Sequence, residues 1–209
     1  DRQCTSPIDD DALDHPLEFL LSPAGHDHRC PLGREQLGDG LPDARRGTGY
    51  HRNLAGEVEA VGKNVTEFKP GDAVYSRPDI KRNGTYAEYI AIRAAEVALK
   101  PLTISHVEAA SLPLAAITAW EVLFSTAQLQ AGQRVLIHAG SGGVGSLAIQ
   151  MVKACDAYVI TTTSEKNRAF VESLGADEII DYKTEAFHEQ VHDVDLVFDT
   201  LGGDVQELS

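Results

Sequence analysis

Positive charge is scarce in this chain: 18 Lys and Arg residues stand against 32 Asp and Glu, for a formal charge of −14 at pH 7. That balance argues against nucleic acid or an anionic membrane surface as a partner, and it means that an anionic ligand must be held by local geometry. Cysteine is sparse as well. Cys4, Cys30 and Cys155 form no C-x-x-C pair, and an odd number of thiols does not suggest a disulfide framework. His26, His28 and Cys30 lie close together, but no second pair follows at a zinc-site spacing, so no metal site is expected. No run approaches the length of a membrane-spanning helix and no charged-then-apolar leader opens the chain, so a cytoplasmic protein is expected. Nor does any evident Ser/His or His/Asp pair announce a nucleophile.

What is present changes along the chain. With 43% hydrophobic residues over 209 positions there is enough apolar material for one large or two small cores. Residues 1–48 are rich in Asp, His, Arg, Gly and Pro, and their one apolar cluster is Leu17 to Leu21. They are expected to be irregular. From Gly49 short strand signals begin: Leu54 to Gly62, Ala73 to Tyr75 and Tyr86 to Ile92, with Lys69-Pro-Gly-Asp72 as a turn. One helix is expected from about Ser105 towards Pro113 and a second from about Ala115 to Ala127. Beyond them strands alternate with helices: Tyr158 to Thr161, a helix from Ser164 to Leu174 closed by Gly175, then Glu178 to Ile180 and Leu196 to Phe198. This is the pattern of a doubly wound parallel sheet.

The most informative stretch is Arg134-Val-Leu-Ile-His-Ala-Gly-Ser-Gly-Gly-Val-Gly145. Val135, Leu136 and Ile137 suit a buried parallel strand, and after the glycines Val144, Leu147, Ala148, Met151, Val152 and Cys155 recur at helical spacing. Gly140, Gly142 and Gly145 satisfy G-x-G-x-x-G between that strand and helix. The first glycine is expected to permit the tight turn, the second to let a pyrophosphate approach the backbone, and the third to let the helix pack closely. The free N–H groups and partial positive charge at the helix start then favour an anion without a basic side chain. Cys155, on the apolar face, is expected to be a small buried hydrophobe.

The end of the second strand bears on which nicotinamide cofactor is preferred, because a carboxylate there holds the ribose 2′-hydroxyl of NAD and repels the 2′-phosphate of NADP. The sequence at that tip is Thr161-Thr-Thr-Ser-Glu-Lys-Asn167. Hydroxyl residues and Lys166 suit a phosphate. Glu165 complicates the reading, since it lies about 20 residues past the glycines, where a ribose carboxylate is expected. It is displaced into the start of a helix, where an acid is favoured for other reasons. NADP(H) is therefore expected over NAD(H).

Together with Gly56-Glu-Val-Glu-Ala-Val-Gly62, Phe68-Lys-Pro-Gly-Asp-Ala-Val74, Gly84-Thr-Tyr-Ala-Glu-Tyr89 and Leu174-Gly-Ala-Asp177, the glycine loop makes the chain resemble the medium-chain dehydrogenase/reductase superfamily. Its zinc-independent, zeta-crystallin-like quinone oxidoreductases look nearest. The resemblance runs from about Gly49 to Ser209 and implies an α/β protein: a partial GroES-like β-rich catalytic domain over 49–117, then the first half of a Rossmann-type sheet over 118–209, with the nicotinamide in the cleft between them. It implies that Gly140, Ser141, Gly142, Gly143, Val144 and Gly145 form the cofactor loop. Thr163, Ser164, Lys166 and Tyr182 would surround the 2′-phosphate, with Thr118 and Thr200 nearer the nicotinamide. The zinc branch carries Gly-His-Glu where this chain has His51-Arg52-Asn53, so no catalytic zinc is implied. Residues 1–48 depart from the family pattern and resemble a damaged or frameshifted region. The chain opens at Asp1, its one methionine is Met151, and the family continues past Ser209, so a fragment or defective coding product is expected. The activity implied is NADPH-dependent reduction of a quinone or α,β-unsaturated carbonyl compound, with homodimers in the full-length parent. Reduction of a 2-enoyl thioester and a non-catalytic, cofactor-binding role are the alternatives.

Overall fold

The computed structural model describes residues 18–22, 53–79 and 89–209. The chain divides into two compact units, Asp1–Pro113 and Leu114–Ser209. His26, His28, Cys4, Cys30, His51 and Arg52, and most of the Gly84–Tyr89 motif, lie outside the described residues.

The first unit is built on a five-stranded sheet of order β4-β1-β2-β3-β5, from β1 (Glu18–Ser22), β2 (Leu54–Val61), β3 (Ala73–Ser76), β4 (Ile90–Arg93) and β5 (Val97–Leu99). All of its pairings are antiparallel. Two elements differ from the sequence reading. β1 falls within the segment expected to be irregular, pairing with β2 on one side and β4 on the other. β5 was not anticipated, because three residues are too few to show an alternation. Alternate positions of β2, β3 and β4 place Val58, Val74 and Ile92 in one small core, with Phe68 and Val97 packed against it. The turn between β2 and β3 forms as expected. Lys69 N donates to the Asp72 carboxylate at 2.9 Å, Asp72 N donates to Lys69 O at 3.1 Å, and Gly71 supplies φ +88°.

Helix α1 (His106–Trp120) opens on a reciprocal cap. Ser105 N and Oγ both donate to Glu108 Oε2, at 2.8 and 2.7 Å, while Glu108 N donates back to Ser105 Oγ at 3.3 Å. These bonds hold the Glu108 carboxyl below its ordinary range. The two helices expected here are one. Pro113 removes a single hydrogen bond within α1 without ending it, and Glu121–Thr126 continues as a wider π-type turn. The run His106–Thr126 is 21 residues long with a mean hydropathy of 1.4, enough by length and composition to cross a membrane, contrary to the sequence expectation. Part of that apolar content has a packing cause: Ala119 and Leu123 are fully buried in the core of the second unit.

That second unit carries a parallel sheet of order β8-β7-β6-β9, from β6 (Arg134–Ile137), β7 (Tyr158–Thr163), β8 (Glu178–Asp181) and β9 (Leu196–Phe198). Helices α2 (Gly143–Ala154), α3 (Arg168–Ser173), α4 (Phe187–Gln190) and α5 (Asp204–Leu208) complete it. Both sheet faces are covered, as parallel sheets require. Val135, Ile137 and Val159 face Ala148, Ile149 and Val152 of α2 and Val171 of α3, whereas Leu136, Ile160 and Ile180 face Phe187 and Val191. The architecture is α/β, half of a doubly wound sheet. Cys155 caps the end of α2 and packs partly buried against the first of these cores, a structural position. The Leu174-Gly-Ala-Asp177 motif is structural too: Asp177 accepts from Val159 N at 2.7 Å and pairs with Lys153 at 2.9 Å, tying α2 to the start of β7.

Candidate functional site

Strand order reverses at β6, which has β7 on one side and β9 on the other. In such sheets the loops at the carboxyl ends of the two strands flanking the reversal part in opposite directions and leave a crevice. The glycine loop leaves the carboxyl end of β6 at this place. His138 N donates to Phe198 O at 3.0 Å, prolonging the β6–β9 ladder, and Gly140 N donates to Thr162 O at 3.1 Å, so the loop is anchored to both neighbours.

The glycines do different work from that expected of the first one. The left-handed residue of the tight turn is Ala139, at φ +54°, not Gly140. Gly140 is demanded by space: an added methyl would overlap the Thr161 hydroxyl and approach Ile149 Cδ1 to 3.0 Å. Gly145 behaves likewise, since a methyl there would overlap the Ala139 carbonyl oxygen and stand 2.8 Å from Gly140 Cα. These two residues press the loop and α2 onto the strands. Gly142 and Gly143 are exposed, and a methyl on Gly143 meets nothing within 4 Å. The first hydrogen bond into α2 runs from Ser146 N to Gly142 O at 2.9 Å, and no side chain caps the helix. The N–H groups of Gly143, Val144 and Gly145 precede that bond, at the positive end of a 12-residue helix. An open glycine backbone at an uncapped helix start fits a phosphate.

The second strand runs two residues further than its sequence suggested, to Thr163. Its threonines are consequently buried rather than displayed: Thr161 Oγ1 donates to Ile137 O at 2.7 Å, and Thr162 Oγ1 accepts from Ala139 N at 3.2 Å. Thr163 Oγ1 donates to Ser141 Oγ at 2.9 Å, and Asn167 Nδ2 donates to the same oxygen at 3.0 Å and to Ser164 Oγ at 3.4 Å. The structure thus brings Ser141, Thr163 and Ser164 together and adds Asn167, which sequence reasoning passed over. Tyr182 stands exposed beside this group, its N donating to Thr163 O at 3.2 Å. Lys166 is exposed next to Asn167. Thr118 and Thr200 are not drawn in: Thr118 Oγ1 donates to Leu114 O of its own helix at 2.9 Å, and Thr200 is exposed beyond β9, with no hydrogen bond from either to the loop among the described residues.

Glu165, the ambiguous acid, is engaged. Arg168 Nε donates to Glu165 Oε2 at 2.7 Å, and Arg168 Nη1 donates to Ile179 O at 3.1 Å, fastening the pair to β8. The carboxylate holds the guanidinium above its usual range. The pairing engages Glu165 Oε2, while the side chain as a whole stays exposed at the start of the helix.

His138 is a further residue the motif did not reveal. Its ring is 1% exposed, with Nδ1 3.1 Å from Thr162 Oγ1, Nε2 3.1 Å from Ser209 Oγ, and Phe187 edge-on at 4.7 Å. Ser209 Oγ donates to Val205 O, so it accepts from His138 Nε2–H; in the neutral ring this leaves Nδ1 to accept from the Thr162 hydroxyl, which itself accepts from Ala139 N. These contacts fit a neutral ring with its proton on Nε2. Burial pushes its pKa down, partly opposed by the negative charge of Asp199. A cavity of about 470 Å3 lies beside it, lined by Val197, Asp199, Gly202, Gln206 and Ser209 and by none of the glycine-loop residues. Among the described residues no group of three or more His, Cys, Asp and Glu side chains could hold a metal ion.

Comparison with known proteins agrees with the fold. Residues 50–102 match the alcohol dehydrogenase GroES-like domain family, and residues 143–209 match the zinc-binding dehydrogenase family. The NAD(P)H oxidoreductase RTN4IP1, mitochondrial, of Danio rerio is 40% identical over 186 residues, which cover 86% of this chain and 47% of that protein. The structure of the quinone oxidoreductase from Coxiella burnetii superposes with a TM-score of 0.71 at 35% identity, covering 91% of this chain and 62% of that one. The Escherichia coli quinone oxidoreductase complexed with NADPH gives a TM-score of 0.66 at 31% identity, covering 74% of this chain and 49% of that one. The chain therefore spans about half the length of the curated relatives it matches.

Proposed function

The chain belongs to the medium-chain dehydrogenase/reductase superfamily, in its quinone oxidoreductase-like part, and from that premise we propose that it serves an NADPH-dependent reductase acting on a quinone or an α,β-unsaturated carbonyl compound without catalytic zinc. The observation that carries the proposal is the open Gly142–Gly143 backbone at the uncapped start of α2, set where the strand order reverses. A bound nicotinamide supplies the hydride. This chain's residues hold and orient: Gly143, Val144 and Gly145 offer backbone N–H groups to the pyrophosphate, while Ser164, Lys166 and Tyr182 border the place for the adenosine 2′-phosphate. Preference for NADPH over NADH rests on the end of β7, where Thr163 and Ser164 stand in place of an acid, on Lys166 beside them, and on Glu165 lying past the strand end and paired with Arg168. Independence from zinc rests on His51-Arg52-Asn53, which replaces the Gly-His-Glu triplet of the zinc branch.

Titration of the protein with NADPH and NADH, followed through the fluorescence of Trp120, tests the cofactor half of the proposal. Saturable binding at least about tenfold tighter for NADPH, roughly 1.4 kcal/mol, is expected; equal affinity, or binding to neither, refutes it. The substrate half is tested on the full-length protein by NADPH oxidation with a quinone, an enone and a 2-enoyl thioester in parallel, together with metal analysis. Turnover confined to the thioester, or stoichiometric zinc, would overturn that half.

A further inference from the structure

We infer that Asn167 is a positioning residue for cofactor binding: with Thr163 it fills both acceptor sites of the Ser141 hydroxyl and so turns the single Ser141 proton towards a phosphate oxygen of the ligand. The inference rests on the cofactor reading above and adds to it a residue and a direction. A serine hydroxyl has two lone pairs and one hydrogen. Ser141 Oγ accepts from Thr163 Oγ1 at 2.9 Å and from Asn167 Nδ2 at 3.0 Å, and among the described residues nothing accepts its own proton.

The direction of the Thr163 bond follows from burial. Thr163 is 2% exposed and its hydroxyl donates to Ser141 alone, so reversing that bond would leave a buried O–H without an acceptor. Ser141 is half-buried at the mouth of the loop, beside the exposed Gly142 and Gly143, where an outside acceptor can reach it. The Asn167 backbone N–H donates to Ser164 O at 2.8 Å at the entry to α3, and its amide reaches both Ser141 Oγ and Ser164 Oγ. An acceptor that meets one O–H beside unpaired backbone N–H groups is an anionic oxygen, and in this site it belongs to a phosphate.

A double-mutant cycle read by cofactor affinity tests this. Ser141→Ala is expected to weaken NADPH binding about tenfold, the scale of a hydrogen bond to a charged group, and Asn167→Ala about threefold. If Asn167 acts through Ser141, the double variant binds no more weakly than Ser141→Ala alone. Multiplying losses, or an Asn167→Ala protein with wild-type affinity, overturn the inference. Melting temperatures are compared throughout; should Asn167→Ala disturb folding, Asn167→Leu keeps nearly the same shape without the donor and repeats the cycle. Equal losses for NADPH and NADH assign the Ser141 proton to the shared pyrophosphate, and a loss confined to NADPH assigns it to the 2′-phosphate. Wild-type protein that binds neither cofactor defeats the functional proposal itself, whereas wild-type binding with independent losses defeats only the role of Asn167.

Discussion

Two glycine turns in this molecule need glycine for opposite reasons. In the Lys69–Asp72 turn of the antiparallel sheet, Gly71 sits at φ +88° with open space where a side chain would go, so its requirement is conformational. In the loop after β6, Gly140 and Gly145 have no positive φ, yet a methyl on either would collide with the strand or the loop, so theirs is a requirement of space. The one left-handed residue of that loop, Ala139, is not a glycine at all. The first kind of glycine closes a hairpin. The second draws a helix start against a strand end and leaves the neighbouring Gly142 and Gly143 bare to solvent, which makes a surface on which a ligand can rest.

The difference can be pressed by substitution. Gly145→Ala should have the largest effect, a loss of about 2–3 kcal/mol in urea unfolding, because the colliding atoms are backbone and cannot rotate away. A stability within about 0.5 kcal/mol of wild type would show that the loop yields and that space is not its constraint. Gly143→Ala should separate function from stability. With nothing near the added methyl, unfolding should be unchanged, while NADPH affinity falls about tenfold, ~1.4 kcal/mol, because a phosphate can no longer approach the backbone. Gly71→Ala is expected to cost about 1 kcal/mol through its φ and to leave NADPH affinity untouched. Arg168→Gln should release Glu165 and lower the NADPH over NADH preference about threefold, with little change in stability since the pair is exposed.

The smallest effect expected is a pH dependence from His138. Its folded-state pKa lies below the ordinary 6.5, so above that value the ring is neutral in both folded and unfolded chains and nothing is lost. As pH falls below it, the unfolded chain takes up a proton that the folded one refuses, and stability declines until the folded value is reached. Thermal melting between about pH 7.5 and 5.5 should therefore show a slope that His138→Gln reduces; an unchanged slope would mean that His138 titrates normally.

Much of this was legible because it depends on short-range pattern. The run Val135 to Ile137, the three glycines and the helical spacing of Ala148 and Val152 lie within one strand–turn–helix unit, and β6, α2 and β9 fall where the sequence puts them. Misreadings arose where a local signal was overruled by packing. Pro113 reads as a helix end, yet apolar residues on both sides of it, Ala109 and Ala119, are buried and the helix passes through. β1 hides in a segment of irregular composition because its existence depends on two distant partners, β2 and β4. The threonines of β7 read as a display of hydroxyls, but two more residues of strand carry them under the loop.

By itself the sequence determined the order of the strands from β6 to β9, the α/β class and the place of the glycine turn between β6 and α2, because periodicity and glycine spacing act over a few residues. Only the tertiary structure decided which side chains meet at Ser141, which basic residue pairs with Glu165 and which histidine is buried. Ser141 and Asn167 are 26 residues apart, His138 and Thr162 are 24 apart, and the Arg168 guanidinium reaches Ile179 from 11 positions away. No local rule connects such residues; the parallel pairing of β6, β7 and β8 brings them within hydrogen-bond reach.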